Sequence, residues 1–188
     1  MVIESRLKIP KSRIGVLIGK KGETKSEIES ITGVKININS FDGAVHILAT
    51  DKIIDPTYVW KARDIIKAIG RGFSAEKAFN LLDDDIFLES IHLEGTRNNV
   101  RRLKSRIIGE KGKTRRMIEA NTDSLVSIFG NQVSIIGELE EIRYAREAIV
   151  QLINGSKHGT VYRYLEQIRF RSKQDPMKIW KELPPEED

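Results

Sequence analysis

The chain has 188 residues, 39% apolar and 31% charged, which excludes a disordered or fibrous protein and leaves room for one large domain or two small ones. It holds no cysteine, which excludes a disulfide framework and thiolate metal sites and fits a reducing, cytoplasmic setting. The first residues lack the apolar core of a secretory leader, and no run approaches the roughly 18 apolar residues of a membrane span, so no membrane partner is expected.

Taken in chain order, residues 2–9 alternate apolar and polar side chains, as a half-buried strand does. Residues 14–18 form a short apolar helical turn, followed by Gly19-Lys20-Lys21-Gly22. A second helix is predicted over 23–32, with Ile28 and Ile31 facing inward and Gly33 as its C-terminal cap. Strands follow at 34–38 and 44–49 around a turn at Phe41-Asp42-Gly43. Asp55-Pro56 opens a long helix to about Ile69, with Pro56 suited to its first turn. Ser74 caps a short helix whose Ala78, Leu81 and Leu82 share one face, so this stretch reads as a packed connection between domains; Asp83-Asp84-Asp85 closes it.

The same order then repeats. A strand is predicted over 86–93, a helix over 97–108, the loop Gly109-Glu110-Lys111-Gly112 and a helix over 113–121. Strands at 125–129 and 132–136 flank Gly130-Asn131, and a closing helix covers 138–153. A last helix is expected over 160–171, with Val161, Tyr164, Leu165 and Ile168 on a docked stripe, a stop at Asp175-Pro176 and an acidic tail. The predicted organisation is a first domain over 1–72, a helical linker over 73–85, a second domain over 86–155, and a C-terminal helix and tail over 156–188.

A shift of 90 positions lays Ile18-Gly19-Lys20-Lys21-Gly22 on Ile108-Gly109-Glu110-Lys111-Gly112, with eight identities in the fifteen residues from Ile18 to Thr32. Net charge is +5, with an isoelectric point near 9.4, but its distribution says more. Residues 97–116 hold nine Lys or Arg against one acid, Glu110, a net of +8. Ordinary solvated helix faces mix signs, because like charges one turn apart repel, so this density points to a polyanionic partner. A Gly-x-x-Gly loop between two helices lets a phosphate backbone approach the main chain, and the following helix aims its unpaired N–H groups at the loop. The candidate contacts are Arg101, Arg102, Lys104, Arg106, Ile108, Gly109, Glu110, Lys111, Gly112, Lys113, Arg115 and Arg116, with Gly19, Lys20, Lys21, Gly22 and Lys25 in the first copy.

This pattern resembles the type I KH domain, whose Gly-x-x-Gly loop clamps about four nucleotides of single strand. The resemblance covers residues 2–69 and 86–154 and is densest over 22–36. It implies an α+β fold of two tandem β-α-α-β-β-α domains joined by a short helical linker. One departure is shared by both copies: the third residue after the second glycine is usually apolar in KH domains and is Lys25 or Arg115 here. With the Arg71 to Ala78 linker and the basic run from Arg101 to Arg116, it makes the chain similar to the archaeal pre-ribosomal KH proteins, whose eukaryotic counterparts are called partner of Nob, with the Krr-type assembly factors as relatives. That resemblance implies binding near the 3′ end of small-subunit ribosomal RNA, the PIN-domain endonuclease that trims it as a partner, and the α subunit of translation initiation factor 2 as a further one.

Other chemistries fit poorly. A P-loop needs four residues between its glycines and Ser or Thr after the lysine; Gly15 to Lys21 offers neither. His46 and His92 are expected in strands and His158 in a loop, without metal-ligand spacing, and Glu27, Glu29 and Glu119 on solvated helix faces. The expectation is a monomeric, non-enzymatic binder without cofactor or metal. The second loop is the main clamp, because the first is followed by Glu23, Glu27 and Glu29. A protein-interaction scaffold and a general single-strand binder are the alternatives.

Overall fold

The computed structural model describes residues 4–50, 53 and 55–174, with backbone alone for 172–174. The predicted strand start at Val2, the stop at Asp175-Pro176 and the acidic tail lie outside the described residues. The first unit runs β1 (Glu4–Lys8), α1 (Lys11–Ile18), α2 (Glu23–Thr32), β2 (Val34–Ile38), β3 (Ala44–Ala49) and α3 (Thr57–Gly70). The second runs β4 (Phe87–His92), α5 (Arg97–Ile108), α6 (Lys113–Thr122), β5 (Leu125–Phe129), β6 (Gln132–Gly137) and α7 (Leu139–Ile153). Between them lie α4 (Ala75–Ala78) and a 3₁₀ turn (Phe79–Leu82), and α8 (His158–Gln174) follows.

Each unit is a three-stranded antiparallel sheet, ordered β1-β3-β2 and β4-β6-β5, with helices on one face. Strand periodicity decides the core: Ile36, Val45 and Ile47 point at the helices of the first unit and meet Leu17, Ile28, Ile65 and Ile69. Val126, Val133 and Ile135 do the same in the second, against Ile107, Ile118, Ile149 and Leu152. Val161 and Leu165 of α8 join that second core.

Helix ends follow local chemistry. Pro56 has helical dihedrals and Asp55 Oδ1 accepts the Thr57 N–H at 2.8 Å, so Asp55 caps α3 with proline in its first turn. These bonds hold the Asp55 carboxyl below the usual carboxylate range. Gly33, at φ +68°, ends α2 in the left-handed conformation. Two expectations need correction. The first helix begins at Lys11, directly after Pro10, not at Ile14. Ile31 is 46% exposed, because the core-facing positions of α2 are Ile28 and, one turn on, Thr32.

The connection between the units is solid. Ser74 Oγ accepts the Lys77 N–H at the start of α4, as the sequence suggests. Ala78 and Leu81 are buried in the first core, and Ile136 of the second unit belongs to the same cluster, with Leu88 and Leu125 packed against it. The whole of β6 from Val133 to Gly137 is therefore buried: Val133 and Ile135 face their own helices, while Ser134 and Ile136 face the other way. Ser134 meets its hydroxyl partner Ser90 at 2.8 Å. Arg71 O accepts from Ser127 Oγ at 3.0 Å, and Lys61 pairs with Asp84 at 2.6 Å. Gly72, at φ +104°, sits against β5: a Cβ there would fall 2.7 Å from Ser127 Oγ and 2.9 Å from Phe129 Cβ.

Gly72→Ala is expected to lower unfolding stability by about 2–4 kcal/mol, from backbone strain plus overpacking. Gly130→Ala, also at positive φ but with nothing within 4 Å, should cost only the strain, about 1 kcal/mol. Urea denaturation of both variants checks this, and equal losses would disprove the close packing at Gly72.

Candidate nucleic-acid interface

The two glycine loops share one backbone path. Gly19 and Gly109 leave their helices at φ +77° and +72°, Lys21 and Lys111 follow at +51° and +48°, and Gly22 and Gly112 lead into the next helix at +86° and +76°. The glycines do different work. A Cβ on Gly19 would lie 2.4 Å from Thr24 Oγ1, and one on Gly109 would lie 2.1 Å from Thr114 Oγ1. The first glycine of each loop therefore exists to seat the threonine. The second faces open space: nothing lies within 4 Å of a Cβ on Gly22, and only Arg116 Nη1, at 3.4 Å, near one on Gly112. Neither α2 nor α6 has a side-chain cap, so their first-turn N–H groups face the loop beside exposed Lys20, Lys21, Lys111 and Lys113. That is an anion site by dipole, donors and charge. Glu110 is the single acid in the pair of loops.

A groove runs along α5 as far as Ile108, the residue before the second loop. Arg97, Arg101 and Lys104 line one side, Val100 and Ile108 its apolar floor, and Gly130-Asn131 of the β5–β6 turn the opposite wall. Arg97 was not among the candidate contacts, although its place at the head of the basic segment is the signal that would find it. Arg102 is exposed and donates to Asn99 Oδ1 at 2.9 Å.

Four predicted contacts have structural partners within the chain. The Arg106 Nε donates to Leu152 O at 3.2 Å and its Nη2 to Ser156 O at 2.7 Å, bridging the end of α7. Arg116 Nη1 donates to Lys111 O at 2.9 Å and so props the loop itself. Lys25 and Arg115 point along their helices to Glu29 and Glu119, at 3.9 Å and 3.5 Å. Those glutamates are not solvated faces, as the sequence suggested. Glu29 Oε1 accepts the Ile36 N–H at 2.7 Å, and Glu119 Oε1 accepts the Val126 N–H at 3.0 Å. The basic residue shared by both copies where an apolar one is usual is thus the outer partner of a helix-to-strand anchor.

The second loop also has a support that the first lacks. Tyr162 of α8 shares a hydrogen bond of 2.8 Å with Thr114, the residue seated under Gly109. Lys113 Nζ lies 5.9 Å from the same ring. His158, the first residue of α8 and not a loop residue, places Nε2 2.9 Å from Arg106 O. The sequence marked α8 as a docked helix through Val161 and Leu165; Tyr162 stands beside that stripe, and periodicity gives no sign of its partner.

These features define the class: two tandem type I KH domains, each with an intact glycine loop. A family model described as the KH domain matches residues 4–55, and one for the eukaryotic type KH domain (type I), in its PNO1 second-domain form, matches 87–170. A KH domain-containing protein of Methanocaldococcus jannaschii is 49% identical over 93% of this chain and 78% of its own length. The pre-rRNA-processing protein PNO1 of Coccidioides immitis is 34% identical over 75% of this chain, which spans 56% of that longer relative. Crystallised Dim2p of Pyrococcus horikoshii is 51% identical, with a TM-score of 0.82 over 88% of this chain and 99% of its own. A structure of the a/eIF2alpha-aDim2p-rRNA complex from the same organism matches at 49% identity and a TM-score of 0.86, over 90% of this chain and 96% of that one. The chain belongs to the archaeal Dim2p and PNO1 family of tandem KH pre-rRNA-processing proteins.

Tyr162→Phe is expected to cost about 1 kcal/mol by leaving the buried Thr114 hydroxyl short of a partner. In a double-mutant cycle with Thr114→Val, the loss should disappear once the hydroxyl is gone; additive losses would show that the two groups do not interact.

Proposed function

We propose that the protein clamps single-stranded small-subunit ribosomal RNA, near its 3′ end, with its glycine loops during pre-rRNA processing, and that the second KH unit supplies most of the affinity. The observation that carries this reading is the groove of the second unit. Its wall of Arg97, Arg101 and Lys104 and its apolar floor end at Ile108, next in the chain to the loop with the open Gly112 and the uncapped α6 N-terminus. Phosphates lie against the loop and first turn of α6, while bases lie on Val100 and Ile108. In this reading the protein acts by holding RNA. The related Dim2p, solved with rRNA and a/eIF2alpha, supports both partners by likeness. The PIN-domain endonuclease that trims the rRNA end is a further partner in this reading. The domain division follows the resemblance: 1–72, a linker over 73–85, 86–155 and a C-terminal segment over 156–188.

Glu110→Asp combined with Lys111→Asp places two short acids against the phosphates and should weaken binding to single-stranded RNA at least tenfold by fluorescence anisotropy. Lys20→Asp with Lys21→Asp should cost less. Unchanged affinity in the first variant would overturn the clamp. Because a strand held by about four phosphates releases counterions, log affinity should fall with log salt at a slope of about −3. A flat response would favour a protein scaffold. Crosslinking to cellular RNA tests the location, since enrichment away from the small-subunit 3′ end would contradict the ribosomal reading alone.

A further inference from the structure

The first unit carries a feature that the second lacks. Its β2–β3 turn is longer than Gly130-Asn131 and presents Phe41, 85% exposed, at its tip. The turn is rigid. Asn39 Oδ1 accepts the Phe41 N–H at 2.9 Å, Asn39 O accepts the Gly43 N–H at 2.9 Å, and Asp42 Oδ1 accepts the Ala44 N–H at 3.0 Å. Its base is fixed to the chain just ahead of α1, where Gly43 O accepts the Ile9 N–H at 3.0 Å. Gly43 allows this approach, since a Cβ there would meet Ile9 O at 2.2 Å. Folding gains little from an aromatic ring held out in water; truncating it opens no cavity in the core.

The position is informative. In the second unit Gly130-Asn131 forms the groove wall facing Arg101. The 90-residue repeat puts Lys11 at the place of Arg101, and Lys11 Nζ lies 5.1 Å from the Phe41 ring centroid. Phe41 therefore stands at the place of Asn131 in that wall, with a cation beside its ring and the rest of the side chain exposed. From Lys8 to Gly22 the chain has five Lys or Arg and no acid, so the acidic setting of the first loop is confined to the helix that follows it. One of those acids, Glu29, is already bound to the β2 backbone. Helix α1 spans about 12 Å between the Phe41 end and the Gly19 loop, within the reach of a few extended nucleotides.

We infer that Phe41 is a base-stacking platform for the single-stranded RNA at the first glycine loop, with Lys11 meeting the adjacent phosphate. This rests on the RNA-clamp reading above. Every base has a π-face, so such a platform adds affinity with little sequence preference. The stretch from Lys8 to Gly22 beside the ring is basic and holds no acid, and the neighbouring Asp42 is tied to the Ala44 N–H, a setting that favours a nucleic acid over an apolar protein partner.

The test titrates the full chain into single-stranded RNA containing 2-aminopurine. Phe41→Ala should weaken binding about tenfold and abolish the quenching that stacking produces; Phe41→Trp should retain both. The exposed position predicts unchanged melting temperatures for both variants. The inference fails if Phe41→Ala binds as the native chain does while the Glu110→Asp, Lys111→Asp protein is weakened. It also fails if Phe41→Trp is as weak as Phe41→Ala. If the glycine-loop protein too binds normally, the clamp reading itself falls, and the platform with it.

Discussion

In each unit an arginine from the first helix stitches the end of the last. A helix leaves its final carbonyls without internal partners, and in a small domain these ends are partly buried. Arg13 of α1 donates through Nε to Ile69 O at 2.8 Å and through Nη2 to Phe73 O. Arg106 of α5 makes the same pair of bonds to Leu152 O and Ser156 O. Both bridge carbonyls four residues apart, one inside the helix and one in the exit turn. A planar fork of donors suits this; a lysine ammonium does not. Burial lowers the Arg13 pKa from its ordinary value, yet a guanidinium stays charged in proteins. The stitch fixes the first helix against the last, and the glycine loop is carried on the end of that first helix. The geometry of each glycine loop therefore depends on a bond network at the base of the helix that carries it in the first unit, through Arg13, and in the last turn before the loop in the second, through Arg106.

Much of this fold is legible in the sequence. The helix at 23–32, the strands at 34–38, 44–49 and 125–129, and the helix at 97–108 stand where their patterns put them, because periodicity and glycine signals agree there. The glycine loops are legible for the same reason, being repeated. What was hidden depends on distant partners. The two stitching arginines sit one turn apart in the aligned repeats, Arg13 opposite Leu103 and Arg106 opposite Val16, so self-comparison does not pair them. Arg106 looked like one more cation in a basic run, and only the fold shows where its guanidinium goes. Glu29 and Glu119 looked solvated because the amide each binds lies seven residues on, in the next strand.

The two sheets also differ in a way that no single strand reveals. Residues on the outer face of β3, Ala44, His46 and Leu48, are half-buried, whereas Ser134 and Ile136 on the matching face of β6 are covered by the linker and the first unit. Arg13 takes part in this seam as well, its guanidinium carbon lying 5.8 Å from the Phe129 ring centroid. One side chain of the first helix thus touches the end of α3, the exit turn and the neighbouring sheet. The second unit gains α8 over its clamp helix, so each copy has lost its free surfaces to different neighbours.

A buried seam between the units has a thermodynamic consequence. Two modules on a flexible tether search for their second contact over a volume that grows with tether length. Here Gly72 is pressed against Phe129 and Ile136 lies in the neighbouring core, so that search is already done. Under the proposed clamp, a strand engaged at one glycine loop would meet the other at a fixed separation and direction. In that reading the seam works as a ruler: strands of matching path would gain avidity from two modest grips, and strands of any other path would gain nothing from the second.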